Sequence, residues 1–200
     1  KVCKDMALTI FPMAEKVSEI LGVPAKTGRE YARKLRNAGL ITSGGRGPSA
    51  AVMNKQDYTN FILGIMASNT ATHAAEAVQN IRECRYLDHS VGADSNPGPI
   101  PFEFMWKDQE ELASFAIIFE SLLDKLAKKE RIIDDEDDEA VFIYTEVFRP
   151  GNYIEIILYV SGWPWKIKFE NGRGLGEVSE MLLKSSITKM TLQRIAALMR

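Results

Sequence analysis

The chain of 200 residues has little of what most catalytic and metal sites require. It carries 2 cysteines and 2 histidines. Cys3 and Cys84 are too few for a disulfide scaffold or a structural zinc site, and His73 and His89 lack a CxxC or HxxxH companion. No metal or other cofactor is therefore expected, and a reduced, cytoplasmic setting fits. The phosphate-binding patterns GxxxxGK[ST] and GxGxxG are missing. No apolar run approaches the length of a bilayer span, and no charged segment leads into an apolar one as in a signal peptide, so no membrane association is expected. Neither histidine stands in a frame with a nucleophilic Ser or Cys. Glu103, Asp108, Glu110 and Glu111 look like the charge bias of a helix start rather than a catalytic pair. The acidic run DDEDDE at 134–139 lacks the alternating ligands and central glycine of a calcium loop, and reads as a solvated segment. Cys84 has Arg82 and Arg85 beside it, which would lower a thiol pKa, but burial as a small apolar residue fits better. A binding protein is expected rather than an enzyme.

What is present is enough apolar residue for a core, 46% of the chain, and a hidden charge asymmetry. Residues 1–56 hold 10 Lys/Arg and 4 Asp/Glu, a net of +6; residues 57–200 hold 15 and 23, a net of -8; together they give the overall -2. A basic front end on an acidic body points to an anionic partner for the front end alone.

Periodicity places the elements. In residues 12–21, PMAEKVSEIL, the apolar Met13, Val17, Ile20 and Leu21 share one helical face, with Pro12 in the first turn and Gly22 as a stop. Pro24 shortens the link that follows. Thr27-Gly28-Arg29-Glu30 has the form of a capping box, which predicts a second helix opening at Thr27. Along it Tyr31, Leu35 and Ala38 form an apolar stripe, Arg29, Arg33 and Arg36 form a basic one, and Gly39 ends it with positive φ. Residues 40–42 and 50–53 read as two short strands around the turn SGGRGPS. Asn54 caps a third helix carrying Tyr58, Phe61, Ile62, Ile65 and Met66, with Asp57 in its first turn. A fourth is expected over 71–88 with Ala74, Val78 and Ile81 inward, and the stretch Asp88–Pro101, rich in Pro and Gly at its end, is the best linker. Beyond it come a long helix at 106–129, strands at 141–148, 153–160 and 165–169, and helical patterns at 177–184 and 191–200, the last with Thr191 as cap. Trp163 and Trp165 place two of the 3 tryptophans together, as strand aromatics of a core or interface.

Helix, short turn, helix and then an arginine-tipped Gly-rich hairpin is the order of a winged helix-turn-helix, in which the second helix enters the major groove. The segment YARKLRNAGLITSGGRG followed by AAVMNKQDYTNFILGIMA resembles the N-terminal winged helix-turn-helix of phage- and prophage-associated proteins, over about residues 10–88. The resemblance implies double-stranded DNA binding in transcription regulation, with Arg29, Arg33, Arg36 and Arg46 facing DNA. Lys26, Thr27 and Lys34 complete the candidate set. The residue types suit DNA contact, because arginine forks bond guanine or phosphate, and a glycine-rich tip lets backbone pass close to a strand.

The expected fold is thus α+β, with a winged helix-turn-helix and extra helices at residues 1–90, a linker at 91–101, and a helix-plus-antiparallel-sheet unit at 102–200. That second unit would mediate homodimerisation or hold a protein partner. Two bland alternatives stay open at this stage. An arginine stripe is also what a solvated helix face looks like, and a winged-helix scaffold can serve protein interaction without nucleic acid.

Overall fold

The computed structural model describes residues 8–45, 49–91, 114–130, 142–148, 153–160, 163–170 and 184–200. Among these residues, six α-helices and five strands follow one another as α1 (Ile10–Leu21), α2 (Ala25–Asn37), α3 (Lys55–Ala67), α4 (Ala74–Glu83), β1 (Arg85–Val91), α5 (Phe115–Lys128), β2 (Phe142–Phe148), β3 (Tyr153–Val160), β4 (Trp163–Glu170), β5 (Lys184–Thr188) and α6 (Lys189–Ala196). A 3-10 turn, Ala197–Met199, follows α6. The class is α+β.

The strands form one antiparallel sheet in the order β1-β4-β3-β2-β5. Alternation decides its faces. Ile154, Ile156 and Leu158 on β3 lie opposite Phe169, Ile167 and Trp165 on β4, and the first five of these are buried on the inner side. Glu155, Lys166, Lys168 and Glu170 take the other side, where Lys168 pairs with Asp88 of β1 at 3.8 Å. Phe115 seats α5 on the inner face, its ring edge-on to Phe169 with centroids 5.6 Å apart.

Helix α3 is the centre of the molecule. Ten of its residues, Asp57 through Gly64 with Met66 and Ala67, are buried, so it is covered on nearly every side. It touches α1, α2, α4, α5, β2 and β5. Tyr58 reaches from it to donate to the Leu198 carbonyl at 3.0 Å. Gly64 allows the close crossing: a Cβ there would stand 3.0 Å from Leu35 of α2. The buried side chains run as one connected core from Met13 to Ala196, so residues before and after position 91 share it.

Several sequence expectations are corrected. The predicted helix 71–88 stops at Glu83; Cys84 turns extended, with φ -62° and ψ 128°, and Arg85–Val91 pairs with β4. A remote strand offering a full ladder outweighed the local helical signal, and Asp88–Val91, read as linker, belong to this strand. α2 opens at Ala25, not at Thr27, and no side chain caps it. Pro24 presets the backbone at φ -55°, and its carbonyl already accepts from Gly28 N–H at 3.0 Å. The predicted capping box is therefore absent at Thr27–Glu30. A complete one stands at α3: Asn54 Oδ1 accepts from Gln56 and Asp57 N–H, and Asp57 Oδ2 accepts from Asn54 N–H at 2.8 Å. Residues 40–42 and 50–53 are not in strands. α5 begins at Phe115, and Lys184, expected in a helix, lies in β5. α6 is capped by Thr188, three residues before the expected Thr191. The predicted features at 101–113, 134–139, 149–152 and 171–183 lie outside the described residues.

Candidate nucleic-acid interface

α1 and α2 are joined by Gly22, Val23 and Pro24 alone. Gly22 sits in the left-handed region at φ 71°, and Gly22 and Val23 N–H return to the Glu19 and Ser18 carbonyls at 3.2 and 2.8 Å. α2 ends the same way. Gly39 has φ 74°, and Gly39 and Leu40 N–H return to the Arg36 and Leu35 carbonyls at 3.0 and 2.9 Å. Each helix of the pair is thus closed by a glycine stop that reverses the chain sharply. The pair packs tightly because Gly28 lies against the fully buried Ser18, where any Cβ would overlap the Ser18 side chain.

The inner face of α2 is Gly28, Tyr31, Ala32 and Leu35. Tyr31 also anchors α2 to the end of α3 by donating to the Ser68 carbonyl at 3.1 Å. Ala38, expected in this stripe, is exposed just past the helix end. Lys26, Glu30, Arg33 and Asn37, at i, i+4, i+7 and i+11, form one exposed ridge on the opposite side.

The candidate residues do not converge on a single line. Arg29 turns toward α1 and forms an ion pair with Glu15. Arg36 also turns toward α1, its guanidinium 5.7 Å from the ring centre of Phe11. Arg33 stays on the outer ridge and grips Glu30 through Nη2 at 2.7 Å and Nε at 3.2 Å. That hydrogen bond is the main reason the Glu30 carboxyl is held below its usual range, with Lys34 and Lys26 adding their charge. Lys26 and Thr27 are exposed, and Lys34 is half-buried. Arg46 lies outside the described residues. Glu15, Phe11 and Glu30 were not singled out from sequence as partners; of the three contacts only Glu30–Arg33, at i, i+3, has a local signal.

The loop after α2 is held at both flanks. The Asp57 carboxylate, 2% exposed, accepts Thr42 N–H at 2.7 Å as well as Asn54 N–H. Gly44 runs so close to Ala51 that a Cβ would collide with its backbone, and a Cβ on Gly45 would stand 2.6 Å from Ser49 Oγ. Residues 44–45 therefore lie close against 49–51, with no strand pairing between them.

Elsewhere, Cys84 is fully buried, and burial pushes its thiol up to about 12 despite Arg85. Tyr86 and His89 share one side of β1 because the strand bulges between Tyr86 and Asp88; the Tyr86 hydroxyl meets His89 Nδ1 at 2.6 Å, and the imidazole stacks on Trp165. Among the described residues no group of His, Cys, Asp or Glu could hold a metal ion, and no helix is long and apolar enough to cross a membrane. No protein-family model, curated protein or solved structure matches the chain.

Proposed function

We propose that the chain binds double-stranded DNA in a sequence-specific manner, as a transcription regulator of phage or prophage type. In this reading α1 and α2 are the helix-turn-helix, α2 lies in the major groove, and residues 43–53 are the wing. The observation that carries it is the three-residue turn between α1 and α2 with Gly22 in the left-handed region, together with the ridge Lys26, Glu30, Arg33 and Asn37 standing in solvent. The net +6 of residues 1–56 supplies the attraction to phosphate. One reading helix carries limited specificity, so two half-sites about 34–36 Å apart are expected, with the C-terminal half supporting a homodimer or a protein partner. Selection of bound fragments from random duplex DNA with the full chain tests this. An enriched, two-part sequence is expected; recovery of no enriched sequence overturns it.

One observation favours an interaction scaffold that never meets nucleic acid: Arg29 and Arg33 are both ion-paired within the chain. Both pairs are exposed, however, and an ion pair along one edge of a guanidinium, as Glu30 makes to Nε and Nη2 of Arg33, leaves its other N–H groups to meet an acceptor on DNA.

A further inference from the structure

Arg29 and Arg36 are engaged with α1, through Glu15 and the Phe11 ring, which leaves Arg33 as the arginine of the outer ridge of α2. Its fork is not loose. Glu30, one turn toward the helix start, takes both Nε and Nη2 and so fixes the guanidinium plane. Glu30 also stands among Lys26, Arg33 and Lys34, whose charges all act on its carboxyl. A carboxylate in the middle of a basic ridge is the wrong group for gripping phosphate. It repels the backbone, and it occupies the arginine that would otherwise bind phosphate anywhere.

Resting on the DNA reading above, we propose that Glu30 is a specificity-determining, positioning residue. It holds Arg33 for the O6 and N7 acceptors of a guanine and weakens attachment to phosphate at every other sequence. Two chemical consequences follow. Removing the carboxylate charge strengthens non-specific binding, because a repulsive group leaves the interface. Removing its hydrogen bonds frees Arg33 to reach phosphate, so the preference for guanine relaxes. Glu30→Gln separates the two effects. Its amide oxygen still accepts from Arg33, but its charge is gone.

The test measures binding of the full-length protein to its selected duplex and to a scrambled duplex at the same salt, for wild type, Glu30→Gln and Glu30→Ala, with helix content checked by circular dichroism. The ratio of the two affinities should fall about fivefold or more in Glu30→Ala, the lower end of what a bidentate base contact discriminates. The scrambled duplex should bind more tightly to both variants, and Glu30→Gln should keep more of the guanine preference than Glu30→Ala. A merely structural ion pair would lower both affinities together and leave the ratio unmoved. Selective binding by the wild type with an unchanged ratio in Glu30→Ala overturns this inference alone. Absence of selective binding by the wild type overturns the DNA reading and this inference with it.

Discussion

The buried carboxylate of Asp57 accepts the backbone N–H of Thr42 at 2.7 Å, and so ties the chain leaving α2 to the first turn of α3. Its second oxygen accepts Asn54 N–H at 2.8 Å. One side chain therefore fixes both flanks of the 43–53 loop.

Asp57→Ala leaves two backbone donors without a partner, and should cost about 2–6 kcal/mol at a typical 1–3 for each unsatisfied group. Asp57→Asn, which keeps one acceptor oxygen, should cost about half as much. Urea unfolding followed by circular dichroism checks both. Limited proteolysis should also cut Asp57→Ala within 43–53 before it cuts the wild type. A loss below about 0.5 kcal/mol would mean that water replaces the carboxylate at no cost.

Gly28→Ala should loosen the α1–α2 pair. The added methyl overlaps Ser18, and overpacking of this kind costs about 1–3 kcal/mol. Ser18→Gly in the same chain should recover part of the loss, because it removes the obstructing side chain. The double variant measured by urea midpoint decides it: destabilisation that simply adds would show that the two residues do not press on each other.

Cys84 should be inert in the folded protein. With its thiol pushed up to about 12 by burial, the thiolate is scarce at neutral pH and the sulfur is out of reach. In a Cys3→Ser background, iodoacetamide at pH 8 should leave the native protein unlabelled and label it in urea. The raised value also sets a sign for stability. The folded state prefers the neutral thiol, so this contribution is complete below the unfolded pKa near about 8.5 and is lost as pH rises toward 12. Cys84→Ala should flatten that alkaline decline. Rapid native labelling at pH 8 would contradict the burial.

Local periodicity made α1, α3, β2 and β3 legible, since 3.6- and 2-residue repeats need no knowledge of distant partners. The same holds for Ala74, Val78 and Ile81, inward as expected, and for the positive φ of Gly39. What was not legible depended on remote chain. Residues 85–91 became a strand because β4 pairs with them. Sequence alone predicts a capping box at Thr27–Glu30 and only a cap at Asn54, yet Pro24 moved the helix start upstream of the first, and the complete box formed at Asn54–Asp57. In the candidate interface, Arg29, Arg33 and Arg36 read as one stripe from their spacing alone. The directions of Arg29 and Arg36 are set by Glu15 and Phe11 on another helix, which a helical repeat cannot reveal.

The division of labour along α2 makes unequal arginines. Arg29→Ala removes a residue already paired with Glu15 and should weaken DNA binding only modestly. Arg33→Ala should lose about fivefold or more against the selected site and relax the choice of one base pair. Competition between duplexes that differ at a single position measures both. Equal losses for the two variants would contradict the orientation of the ridge.

The most direct measurement is a salt titration of binding to the selected duplex, comparing wild type with Lys26→Ala/Arg33→Ala on the exposed ridge of α2. The expected result is weaker binding and a shallower dependence of log K on log salt, by about 0.9 for each phosphate no longer neutralised. An unchanged affinity and an unchanged slope, with the fold intact, would contradict the placement of this helix on DNA.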